Sequence, residues 1–298
     1  KNTRLREQAN IYTLKGKVKL LSHQPLLAIE DFKKTLSILK VVDRTGNPVI
    51  SRIYGENKLI DVFEQMANSY LLLKKPDEAL DYMKLALFSA DKIRNEFVDD
   101  QTKERLQSDL KYLTEKAIDL AYQRYSLTTN KALLQTILEL AEHSKARTLF
   151  DQIQRNQQSF IINNKDSLFV KKEAFERAII YNEKEELESK EQFTNKNTDS
   201  LKFYLALVNK QIKQKYAQFN FEYEVNVQKL LAILPKGRVI EYFVGKEAIY
   251  TIDIKDGKLK QVVKLVNSQS IKSEVKSFTQ LYFTNGPAAM LNAPKSFY

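Results

Sequence analysis

The stretch Phe63 to Ala90, FEQMANSYLLLKKPDEALDYMKLALFSA, constrains this chain more than any other. Small residues stand at Ala67, Ala79 and Ala86, and large apolar ones at Phe63, Met66, Tyr70, Leu80, Met83 and Leu87. In each half the apolar positions recur every three or four residues, the spacing of one helix face. Between the halves lies Lys74-Lys75-Pro76-Asp77-Glu78. Pro76 suits the first turn of a helix, and Asp77 and Glu78 favour a helix N-terminus. The spacing therefore predicts a helical hairpin, with its alanines where two backbones approach closely and its large residues filling the space around them.

This pattern resembles a tetratricopeptide (TPR) repeat, a unit of about 34 residues with large, large, small and aromatic positions in its first helix and small, aromatic and small in its second. Phe63, Met66, Ala67, Tyr70, Ala79, Met83 and Ala86 match those positions in register. Residues 4–39 read as an earlier copy, in which Tyr12, Gly16, Ala28 and Phe32 recur at the spacing of Phe63, Ala67, Ala79 and Met83, and Pro25 takes the place of Pro76. Lys15, Lys19 and Thr35 depart from the apolar or small choices. The turn-rich segment Asp43-Arg44-Thr45-Gly46-Asn47-Pro48 stretches the spacing between copies to 51 residues, through either an extended helix or an extra short element. Residues 99–154 read as a third, degenerate pair. Its first helix has the stripe Leu106, Leu110, Leu113, Ala117, Leu120 and Ala121, and its second carries Leu133, Leu134, Ile137, Leu138, Ala141, Ala146, Leu149 and Ile153.

Composition bounds the rest. The chain of 298 residues is long enough for a repeat array plus a second unit, and its 43% hydrophobic and 29% charged residues are ordinary for a globular protein. Only 7 glycines and 6 prolines argue for long helices and against a β-sandwich or barrel. Without cysteine there is no disulfide framework and no thiolate metal site. The longest apolar runs, such as Leu230 to Leu234, are far too short to span a bilayer. The chain starts at Lys1 with no signal-peptide pattern, which fits an excised piece, and a cytoplasmic setting is favoured. Net charge is +11, and residues 1–60 hold 12 Lys/Arg against 5 Asp/Glu. The lysines are dispersed rather than interleaved with aromatics, so a solvated basic face is preferred to a nucleic-acid surface.

Past an amide-rich segment at 155–165, two long helices are expected at about 166–194 and 199–222, broken at Asn195 to Ser200. The second has a stripe at Leu201, Tyr204, Leu205, Val208, Ile212, Tyr216 and Phe219. At Lys236-Gly237 the period changes to that of strands. Val239–Val244 is one strand, Gly245 turns the chain, Ala248–Ile254 is the next, and Asp256-Gly257 signals a hairpin into Leu259–Val266. A helix follows with Ile271, Val275, Phe278 and Tyr282 on one face. The segment Leu230 to Gly237, the strand Val239 to Val244, the Gly245 turn and the following tyrosine-bearing strand look like the opening of a CHAT domain, a caspase-related module. Ala141-Glu142-His143-Ser144-Lys145-Ala146-Arg147 is similar to a segment that closes the helical arrays preceding such domains. The expected fold is mainly α. A TPR-like α-α superhelix (1–155) and a long helical hairpin (156–225) precede the opening strands and helix of an α/β caspase-like CHAT domain (226–298).

Active CHAT domains, the resemblance implies, are cysteine peptidases with a His–Cys dyad. A thiolate beside an imidazole attacks the peptide carbonyl. This chain has no cysteine, and neither His23 nor His143 precedes a glycine, so the dyad maps to no position and no catalytic residue is assigned. The chain by itself is expected to be inactive, with any peptidase activity belonging to a longer parent. His143 beside Glu142 and His23 near a helix junction read as surface residues, and no cofactor or metal site is expected. The Glu183 to Glu191 run reads as a solvated helix face. The TPR resemblance places Asn68, and in the first copy Lys17, on the concave surface that holds a ligand's backbone or carboxylate; an ordinary exposed polar side chain is the competing reading. The expected function is a scaffold that binds a protein or peptide and regulates an attached CHAT peptidase-like unit. The alternative is a non-catalytic interaction scaffold, and nucleic-acid binding through the basic N-terminal region stands a distant third. No membrane partner is expected.

Overall fold

The computed structural model describes residues 2–97, 100–145, 152–153, 166–188, 196–216, 225–266 and 269–277, with 279 and 286. Among these the chain is mainly helical, with a small antiparallel sheet toward its C-terminal end. Two compact units are built from interleaved segments. One comprises Lys1–Met66, Leu85–Leu110 and His143–Glu224, the other Ala67–Lys84, Lys111–Glu142 and Val225–Tyr298.

In the first unit, α1 (Asn2–Leu21) and α2 (Pro25–Ile38) form a tightly packed hairpin. Phe32 is fully buried and lies so close to the Gly16 backbone that a methyl group there would overlap its ring. The Lys19 and Thr35 departures from the apolar pattern are absorbed by polar contacts between these helices, whereas Lys15 stays exposed beside the Tyr12 ring of its own helix. Lys19 Nζ sits 2.6 Å from the buried Asp31 Oδ2, and the buried Thr13 and Thr35 hydroxyls lie 3.3 Å apart. The insertion after α2 is an extra element rather than a longer helix. Val42 bridges Pro48 in antiparallel fashion, Asp43 Oδ1 accepts from the backbone N–H groups of Thr45 and Asn47, and a 3₁₀ turn (Ile50–Arg52) leads into the next helix. Arg52 ties the two parts together by donating to the Val42 carbonyl at 2.7 Å.

Helices α3 (Asn57–Leu72) and α4 (Pro76–Glu96) are the hairpin predicted around Ala67. Phe63, Met66, Ala67, Ala79, Met83 and Ala86 are at most 1% exposed; Tyr70 is half-buried and stacks on Tyr82, ring centroids 5.2 Å apart. Full burial of each large apolar side chain contributes about 1.5–3 kcal/mol. At the far end of the pair, Gly55 meets the Ile93 backbone and Ser89 Oγ donates to the Tyr54 carbonyl. Contacts between 70 and 82 near the turn, and between 54–55 and 89–93 away from it, define antiparallel helices.

The turns of the two hairpins are the same structure. His23 and Lys74 both adopt the left-handed conformation, φ 57° and 58°. The amides of His23 and Gln24 donate to Leu20 and Lys19, as those of Lys74 and Lys75 donate to Leu71 and Tyr70, and Pro25 and Pro76 then open the second helices. Each pair of residues is offset by 51 positions.

The third helical segment departs from the expected single helix at 99–127. A break at Leu110 separates α5 (Asp100–Asp109) from α6 (Lys111–Thr128). Ser108 and Asp109 compete for backbone hydrogen bonds and terminate helices readily. After Thr129 and an Asn130 that caps through Ala132 N at 3.0 Å, α7 runs from Lys131 to His143 and ends earlier than expected. Its expected continuation through Ala146 and Leu149 lies outside the described residues. In the first unit, α8 (Ser167–Glu188) packs on α9 (Lys196–Lys215), burying Ile179, Leu205, Val208 and Ile212. The chain helix resumes at Lys196 rather than Asp199, because Asp199 serves the first turn, where its charge complements the helix dipole. The expected loop at 155–165, Phe219, Phe278, Tyr282 and the side chains of the glutamate run lie outside the described residues.

In the second unit, α10 (Val227–Ile233) precedes the meander β1 (Arg238–Val244), β2 (Ala248–Lys255) and β3 (Lys258–Val266). Each strand agrees with its sequence-based bounds to within one residue. Asp256 and Gly257, at φ 52° and 68°, make the two-residue turn that matches strand twist. Residues 269–277 are helical.

Candidate functional site

The two residues singled out as ligand-binding fall in different units. Lys17 lies on α1 of the first unit, half-buried, with Nζ 2.7 Å from Asp61 Oδ1 on α3; Lys58 Nζ stands 3.8 Å from the other Asp61 oxygen. Arg6 donates to Glu56 at 2.9 Å just before α3. Because both contacts advance in the same chain direction, α1 and α3 run side by side in the same sense, with ion pairs along their shared border. Lys17 is therefore half of an ion pair, and a carboxylate ligand would have to compete with Asp61 for it. Asn68, on α3 in the second unit, is half-buried and likewise engaged.

His143 is not a plain surface residue. It is half-buried, with Nε2 3.0 Å from Asp91 Oδ2 on α4, whereas Glu142 precedes it on a different helix face. Its partner comes from a helix more than fifty positions earlier, which local sequence cannot reveal. His23 is exposed and occupies the left-handed turn position. Among the described residues no group of three or more His, Asp or Glu side chains is arranged to hold a metal ion, and no helix is long and apolar enough to cross a membrane.

The most elaborate polar arrangement in the second unit joins α6 to the sheet. The buried Glu115 carboxylate accepts from three consecutive backbone amides of the β1–β2 turn: Lys246 N at 2.6 Å, and Glu247 N and Ala248 N at 2.9 Å each. One turn on, Asp119 accepts from the Tyr250 hydroxyl at 2.7 Å and from Lys264, so β2 and β3 are both tied to α6. Burial tends to raise the Asp119 pKa, but the hydrogen bonds from Lys264 and Tyr250 outweigh it and hold the carboxyl below its ordinary value. Burial, then the bond to Asp119, pushes the Tyr250 hydroxyl far above its ordinary range, so it acts as a donor and not as an acid. Tyr122 packs edge-on to Tyr250, and the Lys111 ammonium lies over the Phe243 ring. These groups fasten a sheet to a helix; they do not form a nucleophile–base pair.

Glu115 and Asp119 carry a single local signal in the sequence, their spacing. Two acids at i and i+4 repel on an isolated helix, which costs a few tenths of a kcal/mol unless outside donors compensate. The donors lie 131 to 145 residues away. In comparison with known proteins, no family model, no curated protein and no solved structure matches this chain.

Proposed function

We propose that this chain is a docking scaffold of TPR-like helical hairpins that binds a protein or peptide segment and regulates an attached CHAT-type, cysteine-peptidase-like unit whose catalytic half lies outside these residues. What carries the reading is the recurrence of one packing unit. Two hairpins 51 residues apart share the same left-handed turn, the same turn hydrogen bonds and the same proline entry, and both place small residues in a closely packed seam. A chain that repeats its packing unit can vary its outer polar positions for recognition, and the TPR resemblance assigns Lys17 and Asn68, each in its own unit, to such positions. The antiparallel ribbon with its tyrosine on β2, and its ties to α6, are compatible with the entry of a CHAT sheet and supply a mechanical connection between helices and strands.

The test is selection from a displayed random-peptide library by the pure chain, followed by affinity measurement against wild type and the Lys17→Glu, Asn68→Ala variant. Selected peptides are expected to lose about tenfold or more, 1.4 kcal/mol, on the variant. Recovery of no peptide above background, or equal affinity for both proteins, would overturn the reading.

A second reading, a scaffold with no catalytic role, draws on two facts: the chain has no cysteine, and His143 Nε2 lies 3.0 Å from Asp91 Oδ2. Both readings predict that the chain alone hydrolyses no peptide. They separate on whether a continuing polypeptide supplies His-Gly and Cys. Nucleic-acid binding is the distant third, and retention that collapses with rising salt would favour it.

A further inference from the structure

Helix α1 is apolar on two opposite faces, and among the described residues only one is covered. Ala9, Thr13 and Gly16 point into the hairpin and are buried. About 145° around the helix, at 100° per residue, stand Ile11, Leu14, Val18 and Leu21. They are 50%, 61%, 62% and 82% exposed. Their spacing of three, four and three is the a/d spacing by which one helix packs on another. Four aligned aliphatic side chains in open water form a contiguous patch rather than scattered exposure, and such patches mark docking surfaces. Leu26 and Leu27, in the first turn of α2, are exposed as well.

Charge identifies the occupant. Lys15 borders the stripe on one side and Lys17 on the other, and α1 carries Arg4, Arg6, Lys15, Lys17 and Lys19 against one acid, Glu7. Lys15 is exposed beside the Tyr12 ring, while Lys17 leans to Asp61 and Lys19 to Asp31. Two copies packed antiparallel, stripe to stripe, would set Lys15 against Lys15 on one border, while Lys17 is already paired with Asp61 on the other. A helix with an acidic border would instead find complementary charge at Lys15. We infer that the α1 stripe docks an amphipathic helix of a protein partner whose apolar face is flanked by Asp or Glu. Lys17 lies at the edge of this surface and Asn68 lies on another helix; both stay intact in every variant below, so the two proposals are tested by different substitutions.

The test uses a designed amphipathic helix of about three heptads, with Leu at a and d and Glu at e and g, and a second peptide with Lys in place of Glu. Titrated against the full chain, the Glu-flanked peptide should bind about tenfold or more tighter than the Lys-flanked one, and the gap should narrow in 0.5 M or so of salt as the charges are screened. Leu14→Glu, Val18→Glu should abolish binding with an unchanged circular dichroism spectrum, since neither side chain is in the core; Leu14→Gln, Val18→Gln is the milder variant should the first disturb folding. Lys15→Glu should shift preference toward the Lys-flanked peptide. Binding of neither peptide, or equal binding of both, would overturn the assignment. So would a concentration-dependent dimer in sedimentation that Leu14→Glu dissolves, because it would give the stripe to a second copy.

Discussion

At Gly16 and Lys74 single residues decide how closely two helices approach and how the chain turns between them. The Gly16 backbone touches the buried Phe32 ring, and no room exists for a methyl group. Gly16→Ala should therefore force α1 away from α2 and cost about 1–3 kcal/mol despite the better helix propensity of alanine. Urea denaturation measures this, and an unchanged or raised midpoint would contradict it. Lys74 is the opposite case. A side chain with a Cβ is held at φ 58°, where glycine has no steric penalty. Lys74→Gly should raise stability by about 0.5–1 kcal/mol in the same measurement, and a loss would mean that the lysine side chain outweighs the strain.

At the scale of elements, the attachment of the sheet to α6 is the least local feature of the second unit. Three turn amides converge on the Glu115 carboxylate, and hydrogen bonds to charged groups contribute about 1.5–3 kcal/mol each before overlap among them is counted. Glu115→Ala leaves those amides without their acceptor and is expected to cost about 2–4 kcal/mol, with hydrogen exchange of the amides of 246–248 accelerating well ahead of those in the α1–α2 hairpin. Uniform acceleration in both places would argue against a local tie. None of this is encoded nearby, since the acceptor and its donors are joined only when the meander folds back on α6. The strands themselves are a contrast. Their alternation and the Asp256-Gly257 turn are properties of adjacent residues, which is why their limits are legible to within one position.

At the scale of the whole molecule, four of the described carboxylates are held below their ordinary range and contribute to the response to acid. A hydrogen bond from the Thr45 hydroxyl lowers Asp43, Lys215 lowers Asp166 and Arg238 lowers Asp253; at Asp119 burial pushes upward but Lys264 and Tyr250 prevail. Each group has a lower pKa folded than unfolded, so the unfolded chain binds more protons in acid. Their contribution is complete above the unfolded value, about 4, and is lost as pH falls through the folded values. Acidification also adds positive charge to a chain already at +11. Thermal midpoints should be level near neutrality and fall progressively below about pH 4, and Asp119→Asn should flatten that fall. An acid limb of unchanged steepness in Asp119→Asn would show that the carboxyl is not coupled to folding.

The alternation of small and large residues around Ala67 and Ala79 by itself determined a helical hairpin, because side-chain volume and a period of 3.6 act between near neighbours. The same local physics determined the three strands. Tertiary structure decided what depends on distant partners: the break at Leu110, the small bridged element between the first hairpins, the pairing of His143 with Asp91, and the ties of Glu115 and Asp119 to the sheet. It also decided which face of α1 stays open. A helix apolar on two sides carries no local mark of the side that will be covered; only packing against α2 settles that Ala9 and Gly16 go inward and Leu14 and Val18 remain in water.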